Sequence, residues 1–224
     1  MTTWAQQILT FQKNLSIATR LPAGVEVLNP YRHAEALHLC KNFYTTFYND
    51  TQSRTMILGI NPGRLGGGLT GIPFTDPLQL DQLGFSNSYA KKSELSASFI
   101  YRMIDAFGGP HLFYQKFYIT SVSPLGFIRQ GKNLNYYDVP ALAKKLHTFI
   151  VDCLYRQLQW KVNRKIAFCI GEGENFKFLK KLNAENNFFE EIIPLAHPRF
   201  IMQYRLKKAD EFISRYIELL GQAN

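Results

Sequence analysis

The sequence predicts an α/β protein built on a parallel β-sheet, and two observations support this class. Four short apolar runs are separated by longer segments with helical periodicity, and each run is followed closely by Gly, Asn, Ser or His. Because strands that alternate with helices pair in parallel, we expect helices on both faces of the sheet.

The first elements are predicted helices, which would act as scaffold over residues 1–50. Apolar residues at three- and four-residue spacing predict the first of them, namely Trp4, Ile8, Phe11 and Leu15. A second helical segment starts after Pro30, a residue suited to a first helical turn.

The remainder of the chain alternates between the two kinds of element. The apolar runs predict strands at residues 55–60, 117–122, 166–170 and 188–195. The helical periodicity predicts helices at about 95–107, 138–160, 172–183 and 203–220.

Composition excludes several classes of protein. The chain has 224 residues, of which 46% are hydrophobic and 19% charged, which is enough apolar material for a packed core. No stretch approaches the ~18 to 20 apolar residues of a membrane span, and the N-terminus lacks the pattern of a secretory signal. We therefore expect one soluble, intracellular domain over residues 1–224, located in the cytoplasm.

The cysteines and the net charge bear on environment and partners. Cys40, Cys153 and Cys169 lie far apart and form no C-x-x-C pair, which favours reduced, buried thiols over zinc or a disulfide framework. The formal charge of +9, with a pI of about 9.4, favours a polyanionic partner only weakly by itself.

Chemistry is expected directly after the predicted strands. In open parallel sheets, ligands bind in the crevice beyond the carboxyl ends of the strands. The segments to inspect are therefore residues 61–74, 121–132, 171–174 and 197–200.

The most unusual of these segments is residues 59–74, which read GINPGRLGGGLTGIPF and hold six of the fifteen glycines. Glycines allow close backbone approach, so the loop could present N–H groups to a ligand. A flexible surface loop is the alternative, but Asn61 follows a buried strand, while Pro62, Pro73 and Phe74 stiffen the segment. It is not a Walker A loop, because no Gly-Lys-Ser/Thr follows the glycines.

His197 is the second candidate, within the segment LAHPR at the end of the last predicted strand. A lone histidine is more often structural than catalytic, but this position allows an imidazole to donate a hydrogen bond into the crevice that Asn61 faces. A third segment, SVSPLGFIRQGKNLN, carries Ser121 at a strand end, then Arg129 and Lys132 in a polar loop that could contact phosphate or remain solvated. The segment GEGENF resembles a dinucleotide fingerprint but lacks its third glycine and carries two glutamates, so we discount it.

Three of these segments together resemble a known family. GINPGRLGGGLTGIPF, SVSPLGFIRQGKNLN and AHPR resemble, in order and spacing, the first motif, the uracil-pocket segment and the second motif of the single-strand-selective monofunctional uracil-DNA glycosylases, within the uracil-DNA glycosylase superfamily. The resemblance covers about residues 55–205, which would form the catalytic core. It implies a three-layer α/β/α sandwich with a central four-stranded parallel sheet.

The resemblance also implies an activity and roles for individual residues. A member of the family extrudes a deaminated base and cleaves its glycosidic bond hydrolytically, without metal or organic cofactor. Asn61 would position the attacking water, and His197 would hydrogen-bond the base oxygen on which negative charge builds. Phe74 would stack on the extruded base, and Ile60 and Gly63 would line its pocket.

Two departures from the family pattern affect specificity and DNA contact. Ser121 stands where the family usually has an Asn that reads the edge of uracil, so removal of xanthine or hypoxanthine becomes plausible as well. After His-Pro the family usually continues Ser-Pro-Arg, whereas this chain continues with Arg199, which lies near the place of the family's wedge.

The predicted partner is DNA that contains deaminated bases, bound by a monomer associated with the nucleoid. Basic side chains expected to contact its phosphates are Arg199, Arg129, Lys132 and Arg205. Two other functions stay open at this point: a non-catalytic nucleic-acid-binding α/β module, and a nucleotide-dependent enzyme that uses the glycine-rich loop for phosphates.

Overall fold

The computed structural model describes residues 1–223. Within these residues the strands, numbered in chain order, are β1 (Val25–Leu28), β2 (Arg54–Gly59), β3 (Phe117–Ser121), β4 (Gly126–Arg129), β5 (Lys132–Leu134), β6 (Val162–Ile170) and β7 (Glu191–Leu195). The α-helices are α1 (Trp4–Lys13), α2 (Ala34–Phe47), α3 (Gly67–Thr70), α4 (Pro77–Gln82), α5 (Leu95–Phe107), α6 (Pro110–Lys116), α7 (Pro140–Leu158), α8 (Glu174–Asn186), α9 (Pro198–Tyr204) and α10 (Ala209–Leu220).

A four-stranded parallel sheet forms the centre of the protein. Its order is β3-β2-β6-β7, and every pairing within it is parallel. Strand β2 is buried along its whole length, as expected for an inner strand covered on both faces. The chain runs from β2 to β3 on one side and then crosses to β6 on the other, so the crevice for a ligand opens beyond the end of β2.

Helices cover both faces of this sheet, as neighbouring residues of β3 show. Successive side chains of a strand point to opposite faces. The ring of Phe117 packs against Phe107 and Phe113, at the end of α5 and in α6. The next residue, Tyr118, donates its hydroxyl hydrogen to Gln157 of α7 on the other face. The predicted three-layer α/β/α sandwich is confirmed.

The structure also contains a small antiparallel sheet that the sequence pattern did not predict. Its order is β1-β4-β5, and its strands have only three or four residues with mostly half-exposed or exposed side chains. Such short strands lack the apolar run on which the strand predictions relied. The sheet matters for function because it delivers the segment after β5 to the end of β2.

Several predicted elements have different boundaries; strand β6, for example, begins at Val162 rather than at residue 166. The helix predicted at residues 203–220 is two helices, α9 and α10, because Arg205 leaves helical geometry with φ −134° and ψ 26°. The strand predicted from residue 188 begins only at Glu191. The backbone of Phe189 is bound instead by the side-chain amide of Asn183, which donates to its carbonyl and accepts from its N–H.

The three cysteines are free and buried. Burial raises the pKa of Cys40 and raises that of Cys153 and Cys169 to about 12, so all three remain uncharged thiols at neutral pH. Within residues 1–223, no helix combines the length and the apolar character needed to cross a bilayer.

Candidate active site

A cavity of about 630 Å³ opens at the carboxyl ends of the parallel strands. All four strand ends contribute to its wall: Asn61 follows β2, Ser121 ends β3, Gly171 follows β6 and His197 follows β7. The structure therefore brings together the segments that the strand pattern selected, although they lie up to 136 residues apart in sequence.

Asn61 is held by both ends of its side-chain amide. Its Nδ2 donates to the carbonyl of Leu134 at 3.2 Å, and its Oδ1 accepts from the N–H of Tyr136 at 3.0 Å. These bonds fix which end of the amide carries the oxygen. They leave one acceptor position on Oδ1 and one hydrogen on Nδ2 for a ligand or a water.

The partner segment of Asn61 is itself anchored to the next strand. The Tyr136 hydroxyl donates to Asn175 Oδ1 at 2.8 Å, and Asn175 Nδ2 donates to the carbonyl of Ile170 at 2.9 Å. Both side chains are buried. This chain of hydrogen bonds ties the end of β2 to the end of β6, and no sequence motif pointed to Tyr136 or Asn175 as part of the site.

His197 presents a neutral imidazole to the cavity. Its Nδ1 accepts a hydrogen bond from the N–H of Arg199 at 3.1 Å, which assigns the ring proton to Nε2. Burial, with a smaller contribution from the Arg199 guanidinium, lowers the pKa of His197 to about 4. The ring is thus an uncharged hydrogen-bond donor at neutral pH.

A hydrogen bond from helix α10 fixes the backbone just before His197. The hydroxyl of Tyr216 in α10 donates to the carbonyl of Ala196 at 2.5 Å. Pro198 then begins α9, so the imidazole stands between a bound carbonyl and the first turn of a helix.

Phe74 lies over the end of β2 in a strained backbone conformation. Its φ is +52°, a region that costs a bulky residue about 1–2 kcal/mol. The ring occupies the space above Gly59, where an added Cβ would lie 2.8 Å from Phe74 Cε2. Gly59 therefore serves the site by leaving room for an aromatic ring in the cavity wall.

The glycine-rich loop folds onto itself more than expected. The N–H groups of Gly66 and Gly68 donate to the carbonyl of Gly63, and the chain then forms α3. These N–H groups are not presented to a ligand, contrary to the expectation from composition. The loop is instead packed so that Pro62, Pro73 and Phe74 line the cavity.

The other predicted base-contacting residues also line the cavity. Ile60 and Gly63 lie beside Asn61 in its wall. Ser121 is buried, and within residues 1–223 its hydroxyl has no hydrogen-bond partner, so it can bond to a ligand.

Glu94 is a cavity residue that the sequence motifs did not indicate. It stands directly before α5, and its carboxylate reaches over the glycine-rich loop, 3.3 Å from where a Cβ of Gly63 would lie. Burial and the neighbouring Asp76 carboxylate raise its pKa, and Arg199 opposes this. No feature of the sequence distinguished this glutamate, because it lies far from the strand ends.

The predicted DNA-contacting residues are not all in one place. Arg199 lines the cavity mouth, whereas Arg129 and Lys132 lie exposed at the turn between β4 and β5 and do not line it. Arg205 lies beyond the mouth, with its guanidinium 5.6 Å from the ring centre of Phe200. Within residues 1–223, no three His, Cys, Asp or Glu side chains are placed to hold a metal ion.

Comparison with known proteins identifies the family. The model of the Uracil DNA glycosylase superfamily matches residues 45–221. The chain belongs to this superfamily. The superfamily was already indicated by the Asn-Pro-Gly and His-Pro motifs, and that resemblance is confirmed.

Two relatives place the chain within the superfamily. The crystal structure of wild-type Pedobacter heparinus SMUG2 superposes with a TM-score of 0.96 at 45% identity, covering 99% of this chain and 98% of that one. The single-strand selective monofunctional uracil-DNA glycosylase of Rattus norvegicus is 29% identical over 158 residues, which are 62% of this chain. The matched region spans 55% of the rat protein, so the chain corresponds to about half of that relative.

The tautomer and charge of His197 can be tested by NMR titration. We expect the ring to carry its proton on Nε2 and to remain neutral from pH 8 down to about pH 5, since its pKa is about 4. In the unfolded state, His197 takes up a proton below its ordinary pKa of about 6.5, whereas in the folded state it stays neutral until the pH approaches 4. Stability from this group is present above pH 6.5 and is lost as the pH falls toward 4, a loss on the order of 3 kcal/mol. A midpoint near 6.5 in the folded protein would contradict the assignment.

The role of Gly59 can be tested by a double-mutant cycle with Phe74. Gly59→Ala should displace the ring of Phe74. If that ring stacks on the base, as the family resemblance implies, kcat/KM for uracil release should fall about 5- to 100-fold. In a Phe74→Ala background the same substitution should cost little, because the ring it displaces is gone. Independent, additive losses would show that Gly59 acts in another way.

Proposed function

We propose that this protein is a monofunctional DNA glycosylase that hydrolyses the bond between deoxyribose and uracil in DNA. The observation that carries the proposal is that the Asn61 amide, the Phe74 ring and the neutral His197 donor meet in one cavity of a superfamily member. The relatives described above carry names for this activity.

The reaction begins with extrusion of the base, because a duplex hides the bond to be cleaved. Extrusion costs a few kcal/mol, least at mispaired or single-stranded sites. Stacking on Phe74 returns about 1–3 kcal/mol of this. The strained backbone at Phe74 is consistent with a ring held in place before the base arrives.

Bond cleavage leaves positive charge on the sugar and negative charge on the base. His197, as a neutral donor through Nε2, hydrogen-bonds the base oxygen that becomes anionic. A preorganised donor of this kind contributes about 3 kcal/mol toward the transition state.

Water attacks the sugar once the bond has weakened. The free acceptor position on Asn61 Oδ1 orients that water, while the bonds to Leu134 and Tyr136 keep the amide from rotating. An amide is a poor base, so orientation rather than proton abstraction is its contribution. Among residues 1–223, no lysine lines the cavity, so the proposed mechanism includes no Schiff base with the sugar and no strand cleavage through it.

Specificity is proposed to extend beyond uracil to other deaminated bases, including xanthine or hypoxanthine. The Ser121 hydroxyl can donate or accept a hydrogen bond, so it can pair with base edges that carry different donors and acceptors. Gly63 leaves the adjacent wall without a side chain, and the cavity of about 630 Å³ has room for a purine.

DNA is proposed to bind across the cavity mouth, with Arg199 nearest the extruded nucleotide. Arg129 and Lys132 at the exposed turn, and Arg205 beyond α9, would contact phosphates on either side, so affinity would fall with salt. All the proposed catalytic groups come from one chain, so the protein is proposed to act as a monomer.

The activity predicts release of uracil from a uracil-containing oligonucleotide, leaving an abasic site that alkali cleaves. Asn61→Ala and His197→Ala should each reduce the single-turnover rate about 100-fold or more, since each removes a preorganised group. Lys180→Ala, at an exposed position on α8, is the control and should keep the wild-type rate. DNA binding without abasic sites would instead identify a non-catalytic module.

The range of bases can be tested with oligonucleotides that contain uracil, xanthine or hypoxanthine. We expect the wild-type protein to release at least one of the purines, and Ser121→Asn to shift selectivity toward uracil at least tenfold. Wild-type activity confined to uracil would remove Ser121 as the reason for a wider range.

A further inference from the structure

Two aromatic side chains stand exposed at the mouth of the cavity. Phe200 is 45% exposed and Tyr204 61% exposed, and both contribute to the cavity wall. They lie one turn apart on α9 with ring centres 5.8 Å apart. The same helix packs against the protein through Ile201, which is fully buried. The inner face of α9 therefore packs into the core, while its outer face exposes two aromatic rings to solvent.

Exposed aromatic pairs beside a cavity usually indicate a binding surface rather than a folding requirement. Burial of Phe200 and Tyr204 would stabilise the protein, yet about half of each side chain stays exposed, although the two rings contact each other and Arg205 lies beside Phe200. The positive charge around these rings indicates what kind of ligand binds there. Residues 199–208 contain four basic side chains and no acidic one, with the sequence RFIMQYRLKK. A flat, apolar surface set among positive charges suits a nucleobase whose phosphates lie alongside.

We propose that Phe200 and Tyr204 form a stacking platform for an unpaired base next to the extruded nucleotide. The proposal rests on the function proposed above, which places the extruded base inside the cavity. Because neighbouring nucleotides are joined through one phosphate, the base beside the extruded one must lie at the cavity mouth. The two rings occupy that mouth, and every base has a flat face, so the platform needs no particular sequence.

The platform favours single-stranded DNA over duplex. In a duplex the neighbouring base is already stacked and paired, so it gains little by moving onto protein rings. In a single strand it has no such partner, and stacking on Phe200 and Tyr204 holds the strand across the mouth. Arg205 lies over the ring of Phe200 and keeps a positive charge beside that position.

The test compares F200A/Y204A with the wild-type protein in single-turnover kinetics. The substrates are a single strand with normal bases beside uracil, the same strand with abasic spacers beside uracil, and a duplex. On the normal single strand the variant should raise the half-saturating concentration about 5- to 100-fold, with the maximal rate changed less than threefold. On the spacer strand the variant and the wild type should be equal, since no neighbouring base is present to stack.

Two further variants separate stacking from folding. F200Y/Y204F keeps both rings and should retain wild-type kinetics. Leu206→Ala removes an exposed apolar side chain of the same segment that does not line the cavity, and it should also leave kinetics unchanged. A wild-type half-saturating concentration in F200A/Y204A, an equal loss on the spacer strand, or a loss confined to the duplex would each overturn the platform.

A binding measurement keeps the two proposals distinguishable. Wild-type protein should quench 2-aminopurine placed next to uracil in a single strand, and F200A/Y204A should not. If the wild-type protein releases no base but this difference is present, the glycosylase proposal fails and the platform stands. If base release is normal and the quenching is the same in both proteins, the platform fails and the glycosylase proposal stands.

Discussion

The hydrogen bonds that clamp the Asn61 amide determine how the site is organised. A side chain at the end of β2 would otherwise rotate freely, but Leu134 and Tyr136 bind both ends of it. Those partners reach it only because β4 and β5 form a hairpin beside the parallel sheet. Asn175 then ties Tyr136 to the end of β6, so the small antiparallel sheet and the large parallel one fix a single amide.

His197 and Phe74 are likewise held in position by neighbouring residues. Tyr216 binds the carbonyl before His197, and the N–H of Arg199 fixes its tautomer, so the ring is a donor without being charged. Gly59 leaves the space in which the Phe74 ring rests. Each group that would touch the base is thus positioned before the base arrives. This positioning costs stability in two ways: the Phe74 backbone is strained, and burial keeps the His197 imidazole from taking up a proton. In the proposed function, this arrangement would let the cavity stabilise opposite charges on sugar and base.

The sequence predicts those parts of the fold and site that depend on local residue patterns, and not those that depend on contacts between distant segments. The parallel strands are predictable because each contains a continuous apolar run that is mostly buried, and the residues at or just beyond the ends of those runs include Asn61, Ser121 and His197. The hairpin of β4 and β5 is not predictable, because strands of only three and four residues are too short to give a periodic signal. For the same reason Tyr136, Asn175 and Glu94 were missed: they act through contacts between distant segments, which neither spacing nor composition encodes. The break between α9 and α10 was also hidden, since the helical pattern continues across Arg205.

The central claim is that Asn61 acts through an orientation imposed by residues outside the cavity, and Tyr136→Phe tests it most directly. The substitution removes only the hydroxyl that binds Asn175, at a fully buried position that does not line the cavity. The measurement is the single-turnover rate of uracil release at saturating enzyme, together with DNA affinity. We predict a rate about 5- to 50-fold below wild type with unchanged affinity, in keeping with the cost of a misplaced catalytic group. An unchanged rate, or a loss of affinity alone, would contradict the account.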